Sequence, residues 1–272
     1  MIAATQLKAS TASVRIRPVA VPVEHGGWGL LLEPVVIGLV LSPSLAGVWF
    51  SLAAVSAFLM RHPFKLAVVD WRRNRRYQRT ALAARFTILY FIIGTLSFAI
   101  AIRIAGVGWF LPILIALPFT ILQLFYDTSG RSRALMAEVA GSVSVGSIAA
   151  ALAMAGGWSS RTAFGLWLIV TARHVPTILY LRAKLRLLHG KTAASRRAVV
   201  AHLAAVVIVA TLAFFRFIPF LPLVAMLVLF LRAVIGFSSY EEDLTAKKLG
   251  VRELGFGAMT VAMVIVGYVI WL

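Results

Sequence analysis

The stretch RHPFKLAVVDWRRNRRYQR, residues 61–79, followed by AARFTILYFIIGTLSFAIAI, residues 83–102, decides the fold class. Seven Arg or Lys side chains in 19 residues give way to a segment of the length needed to cross a bilayer, roughly 20 apolar residues. The same alternation runs along the whole chain. It predicts a protein that passes repeatedly through a membrane.

Nine apolar stretches can be recognised, and we expect each to form one transmembrane helix. The first two are short and are expected to extend into their flanks or to cross with local bilayer thinning. The stretches are residues 27–41, 46–60, 83–102, 107–125, 135–155, 162–181, 199–215, 220–237 and 255–272.

Basic residues collect in every second gap between these stretches. Those gaps and the N-terminal tail hold 21 of the 27 Lys and Arg residues, whereas the opposite gaps hold only Arg103, Arg161 and Arg216. Basic loops stay in the cytoplasm, so the N-terminus is predicted inside and the C-terminus outside. We expect a cytoplasmic tail at residues 1–23 and one all-α multi-pass membrane domain of nine helices at residues 24–272.

Composition agrees with this interpretation. The 272-residue chain is 61% hydrophobic, with a mean hydropathy of +0.93, and has no block polar enough to fold as a soluble domain. Its net charge of +18 lies in short loops beside apolar stretches, where anionic lipid headgroups are the natural partners. Nucleic-acid binding is therefore not expected. The absence of Cys removes disulfides, thiol nucleophiles and thiolate metal sites.

Ionisable residues within the stretches are expensive in hydrocarbon and usually face a cavity or one another. By helical rise, all of them fall in the predicted cytoplasmic half. Their positions predict a polar pocket open to the inside, with hydrocarbon below it. Ion pairing or snorkelling without a pocket is the alternative. The residues are Glu33, Glu138, Arg173, His174, His202 and Arg232.

Several short motifs resemble those of the YwiC-like family of bacterial membrane proteins, and the likeness covers nearly the whole chain. No chemistry can be carried over from that family. The motifs are E-H-G-G-W at residues 24–28, R-H-P at 61–63, D-W-R-R at 70–73, F-Y-D-T-S-G-R-S-R at 125–133, A-E at 137–138, R-H-V-P at 173–176 and Y-L-R at 180–182.

The arrangement of nine helices, with the largest basic loops after stretches two and six, is more distantly similar to the UbiA-type intramembrane prenyltransferases. Those enzymes hold Mg²⁺ and diphosphate through Asp-rich motifs. Here the first loop has a single acid, Asp70, and the second has none. Either that chemistry is gone, or Arg side chains bind phosphate directly.

We predict that Arg131, Arg133, Arg173 and Arg182 hold the anionic head of an isoprenoid or lipid, with the tail in the apolar half. Glu33, Asp127, Tyr180 and Arg232 are further expected ligand contacts. His25 with Glu24, and Glu138, are the candidates for moving protons, because imidazole titrates near neutral pH.

Other interpretations remain open for several of these residues. Glu24 could instead favour a helix N-terminus, and Asp127 with its arginines could form a salt-bridged turn. A small transporter, with Glu33, Glu138 and Arg173 as coupling charges, is the alternative function. No metal motif is found among the five His, and no cofactor or protein partner can be named. The 61–79 segment could lie flat on the membrane as an interfacial helix, and 182–197 is a second such segment.

Overall fold

The computed structural model describes residues 16–22, 25–74, 77–238 and 244–272, which form helices and no strand. The helices are α1 (Arg17–Ala20), α2 (His25–Leu41), α3 (Leu45–Arg72), α4 (Gln78–Ala105), α5 (Leu111–Thr128), α6 (Leu135–Ala155), α7 (Ser160–Leu188), α8 (Ser195–Phe214), α9 (Leu221–Ser238) and α10 (Ala246–Trp271), with a 3₁₀ turn at Gly108–Phe110.

Each of the nine predicted stretches coincides with one of the helices α2–α10. Eight of these, within the described ranges, are long and apolar enough to cross a membrane, and Gly26–Leu41 is a shorter apolar helix. The prediction of an all-helical, multi-pass bundle is confirmed. Short connections make consecutive helices antiparallel. We call the end at which α2 and α6 begin and α3 and α7 end the basic end, and the opposite end the far end.

The interfacial-helix interpretation is wrong for residues 61–72, because they continue α3 without a break. Likewise residues 182–188 continue α7. An ion pair joins the end of α3 to the start of the next helix. Arg79 of α4 donates from Nε and Nη2 to Asp70, near the end of α3, at 3.2 and 3.0 Å. Thr80 donates to the same carboxylate at 2.9 Å. These contacts join α3 to α4.

Helices α6 and α7 form the centre of the bundle. In each, 61% of the residues in the most apolar segment are buried, against 11–28% in the other long helices. Small residues at the helix contacts let α6 and its neighbours approach closely. At Gly146 of α6 an added Cβ would lie 3.2 Å from Trp167 Cδ1 of α7, and at Gly38 of α2 it would lie 2.5 Å from Leu152 Cβ of α6.

Helix α6 separates two apolar clusters. Ile148, Ala151 and Leu152 pack with α2, α3 and α4, whereas Ala149 and Ala150 pack with α7 to α10. The short helix α1 lies against α3 and α4: His62 Nε2 donates to Pro18 O at 3.0 Å, and Tyr90 Oη donates to Ala20 O at 3.1 Å. This part of the predicted tail is therefore docked on the bundle.

Candidate functional site

A cavity of about 1300 Å³ lies among α2, α3, α4, α5, α6, α7 and α10. It is larger than the roughly 300–1,000 Å³ of ordinary small-molecule sites. Arg133, Arg182 and Lys247 line it at the basic end, whereas Phe98 and Ile113 line it toward the far end. Most of its wall between them is aliphatic or aromatic. The cavity thus has one charged end and one apolar end.

The charged end is formed mainly by α6, α7 and α10. Arg182 Nη1 on α7 donates to Glu138 Oε2 on α6 at 2.8 Å and to Arg133 O at 2.8 Å. Both members of the pair are about one-third exposed, so this contact contributes little stability. Arg133 and Lys247 are exposed, and no carboxylate of the described residues lies within salt-bridge distance of either. Cationic groups therefore remain available for an anion here.

A second polar group lies farther from the basic end, between α2 and α7. His174 Nε2 donates to Glu33 Oε2 at 3.1 Å, and Arg173 Nη2 donates to Glu33 Oε1 at 3.4 Å. Arg173 Nη1 also donates to Thr177 Oγ1, one turn on. Arg173 is 4% exposed and His174 is fully buried, so Glu33 balances charge that water does not reach.

Gly257 on α10 makes room for that group. A Cβ at this position would lie 2.3 Å from Glu33 Oε1 and 3.4 Å from Arg173 Nη2. The absence of a side chain therefore lets α10 pass directly over the Glu33–Arg173 pair. Three helices meet at this carboxylate.

A third polar group, on α7 to α10, reaches the cavity wall through Glu253 and otherwise lies behind it. Arg232 donates to Glu253 Oε1 through Nη1, and its Nη2 lies 2.9 Å from His202 Nε2. Because a guanidinium only donates, His202 Nε2 accepts, and its Nδ1–H donates to Ala198 O at 2.8 Å. The guanidinium also lies 4.2 Å from the centre of the Tyr180 ring. Arg232 is thereby held by partners from α7, α8 and α10.

Asp127, at the end of α5, is 1% exposed and is held by α3. Arg61 Nε and Nη2 contact its two oxygens at 2.5 and 3.0 Å, as a bidentate pair. With its amide oxygen facing Arg61, Gln123 accepts from Nη1 and Nη2 at 3.1 and 3.3 Å. Arg61 thus connects a buried carboxylate to a side chain of the cavity wall.

A smaller recess adjoins the charged end through Ser132 and Arg133. It is formed by the turn between α5 and α6, where Gly130 has a φ of +72°, and is closed by Lys65 of α3. Lys65 Nζ donates to Ser132 Oγ at 2.7 Å. Arg131 lies in this recess and not on the wall of the large cavity.

Aromatic rings close the bundle beyond the apolar end. Trp109, in the 3₁₀ turn before α5, is 2% exposed. Its ring centre lies 4.7 Å from that of Phe50, 5.6 Å from that of Phe98 and 6.1 Å from that of Phe110, all in edge-to-face contact. Such packing places aromatic rings between Phe98 of the cavity wall and the far end.

The predicted site residues therefore fall into four groups. Glu33, Arg133, Glu138, Arg173 and Arg182 line the large cavity together. Asp127, Tyr180 and Arg232 are buried off its lining, and Arg131 lies in the adjoining recess. Glu24 and the side chain of His25 lie outside the described residues, as does the acidic cluster at 241–243.

Sequence reasoning missed the partners of several of these residues. Arg61 was read only as part of a basic loop, although it holds Asp127, and Glu253 was not recognised as the partner of Arg232. The signal that could have found them is the near-absence of acids: a buried carboxylate in so basic a chain needs a cation at its own depth.

The residues present do not fit a Mg²⁺–diphosphate site of the Asp-rich kind. Asp70, the acid of the first basic loop, is engaged by Arg79 and Thr80. Within the described ranges, no three His, Asp or Glu side chains lie together in a group that could hold a metal ion.

The family model described as YwiC-like protein matches residues 21–153, from just before α2 to near the end of α6. The YwiC-like resemblance is confirmed over these residues, just under half of the chain, and the apolar helices make the chain a multi-pass integral membrane protein. No curated protein and no solved structure matches it. The UbiA-like resemblance stays a prediction.

Proposed function

We propose that this protein binds a membrane amphiphile with an anionic head, an isoprenoid or another lipid, in the large cavity. The head lies at the basic end, against Arg133, Arg182 and Lys247, and the tail runs along the apolar wall toward Phe98. The observation that carries the proposal is the polarity of this one cavity, charged at one end and apolar at the other.

The charges support an anionic rather than a cationic head. Five cationic side chains line the cavity against three carboxylates, and each carboxylate is already paired with an Arg. A cationic head would meet no unpaired acid among the described residues of the wall. An anion, by contrast, meets Arg133 and Lys247, and hydrogen bonds to charged groups are worth about 1.5–3 kcal/mol each. The lining cations are Arg61, Arg133, Arg173, Arg182 and Lys247.

The orientation in the membrane supports a head at the cytosolic face of a bacterial inner membrane, because the basic end carries the excess of Lys and Arg. A chemical step on the head would then use groups at this end. Glu24 and His25 precede the cavity wall at Gly26, and Glu138 lies in the wall itself. Whether these groups move protons remains a proposal within the binding function.

Native mass spectrometry of the protein in mild detergent tests the proposal. The probes are phosphatidylglycerol and farnesyl phosphate, with phosphatidylcholine as the neutral-head reference. We expect an anionic probe to be retained about tenfold more tightly than phosphatidylcholine, which corresponds to about 1.4 kcal/mol. Equal retention of all three probes would contradict the proposal.

Two variants distinguish binding in the cavity from attraction to the lipids that surround the protein. Arg133→Gln removes a cation of the cavity wall, whereas Arg197→Gln removes an exposed cation on α8, at the same end but outside the cavity. We expect retention of the anionic probe to fall only in Arg133→Gln. A matching loss in both variants would indicate surface attraction to anionic lipids instead.

A small transporter is the second candidate, because Glu33, Glu138 and Arg173 share the cavity. Transport to the other side needs a polar route past the far end, and Trp109 with its aromatic neighbours opposes one. Solute flux in reconstituted vesicles that is abolished by Glu138→Gln would favour this candidate over the binding protein.

A further inference from the structure

We propose that the ligand is an acyl ester, a glycerolipid rather than an isoprenyl phosphate, and that Gln123 recognises its ester carbonyl. This inference rests on the proposed function and narrows the class of ligand. The observation behind it is a group of uncharged polar side chains midway along a wall that is otherwise apolar: Thr120, Gln123, Ser144 and Ser147.

These side chains lie below the charged end of the cavity. Thr120 precedes Asp127 by seven residues and Ser144 follows Glu138 by six, which places both about 10 Å along their helices from the charged end. Gln123 lies between the two levels. Thr120 Oγ1 and Ser144 Oγ are 2.5 Å apart and join the middles of α5 and α6.

Two neighbours hold Gln123 in place. In the amide orientation that satisfies its hydrogen bonds, the oxygen accepts from Arg61, which is itself fixed by the buried Asp127. Gly141 of α6 packs closely on the same amide, and a Cβ there would lie 2.1 Å from its nearest atom. With the oxygen committed to Arg61, the two N–H donors at the other end of the amide are suited to an acceptor.

The chemistry of the ligand follows from what these groups need. A diacyl glycerophospholipid carries ester carbonyls, which are pure acceptors, just below its phosphate. An isoprenyl phosphate has only hydrocarbon at that depth, and would bury the Gln123 amide nitrogen against it, beside the Thr120 and Ser144 hydroxyls that bond each other. Polar groups left without partners in an apolar site discriminate strongly against such a ligand.

The test compares probes with the same head and different linkages. Diacyl phosphatidylglycerol, its dialkyl ether analogue, which lacks the carbonyls, and geranylgeranyl phosphate are each titrated against the wild-type protein by native mass spectrometry. We expect the diacyl probe to be retained about fivefold more tightly than the ether analogue, as one hydrogen bond to each molecule would give.

Gln123→Leu removes the amide at similar volume and should abolish the preference for ester over ether, while binding of the ether analogue is unchanged. Ser144→Ala is a second variant with a reduced preference, and serves if Gln123→Leu fails to fold. Thr211→Val is the control, because Thr211 is exposed on α8 and donates to the backbone of its own helix.

Equal retention of ester and ether, or tighter retention of geranylgeranyl phosphate, would overturn this inference and leave the proposed function standing. If no anionic probe is retained more tightly than phosphatidylcholine, both this inference and the proposed function are overturned. A preference for ester that persists in both Gln123→Leu and Ser144→Ala would also contradict the assignment, because these side chains would not be its source.

Discussion

Replacing Gly257 with alanine places a methyl group where α10 crosses the Glu33–Arg173 pair. The added Cβ lies 2.3 Å from Glu33 Oε1, and the oxygen must retreat by about 1.1 Å to reach an ordinary contact of about 3.4 Å. The Arg173–Glu33 hydrogen bond is already 3.4 Å long, so a retreat from α10 breaks it. Arg173 then remains buried without its hydrogen bond to this carboxylate.

The size of the effect follows from burial. Removing one partner from a buried ion pair costs about 3–5 kcal/mol. Glu33 is somewhat exposed and can keep its contact with His174, so we expect the free energy of unfolding to fall by about 2–3 kcal/mol. In an open helical position the same substitution is favourable by roughly 0.5–1 kcal/mol.

Gly255→Ala is the matched control, since Gly255 lies on the same helix with no atom within 4 Å of an added Cβ. Unfolding of both variants is followed by circular dichroism in mixed micelles. We expect Gly257→Ala to be less stable than Gly255→Ala by about 3 kcal/mol. Equal stability of the two variants would refute the reasoning.

A double-mutant cycle isolates the cause. If the methyl group acts through the carboxylate, Gly257→Ala should cost much less in a Glu33→Ala background, with a coupling of about 1–3 kcal/mol. Additive effects would mean that α10 is disturbed by some other contact.

Three further predictions concern the fold and its orientation. In Ser160→Cys and Thr192→Cys, exposed positions at opposite ends of the bundle, a membrane-impermeant maleimide should label the first in intact cells and the second only after permeabilisation; the reverse pattern would invert the topology. Arg61→Met should lower the free energy of unfolding by about 3 kcal/mol by leaving Asp127 buried and unpaired, and denaturation within 0.5 kcal/mol of the wild type, a span of about half a typical hydrogen bond, would contradict the pair's role. Trp109→Ala should cost about 3–5 kcal/mol by opening a void among the aromatic rings, seen as a lower melting temperature; an unchanged melting temperature would show that these rings do not close the bundle.

The fold could be predicted because the bilayer imposes one requirement on every spanning segment: its backbone must satisfy its own hydrogen bonds. Apolar length therefore located the nine helices α2–α10. The ends were less predictable. Arg61 and Lys65 look like loop residues from charge alone, yet they lie within α3. There Arg61 donates to Asp127 of α5, and Lys65 donates to Ser132 in the turn after α5.

The depth of the site residues along their helices could be predicted, but the direction in which each side chain points could not. Counting residues from the basic end placed Glu33 and Arg173 at similar depth, and the structure brings them into contact. Which face of a helix turns inward depends on packing, and a small-residue helix such as α6 has no strong apolar side to reveal it. Tyr180 and Arg232 were accordingly expected on the ligand, whereas they face each other behind the wall.

A cryo-electron microscopy map of the protein in nanodiscs that contain phosphatidylglycerol tests directly whether a lipid occupies the large cavity. We expect elongated density there, with its head among Arg133, Arg182 and Lys247 and its tail directed toward Phe98. Lipid density confined to the outer surface of the bundle, with the cavity empty or closed by its own side chains, would contradict it.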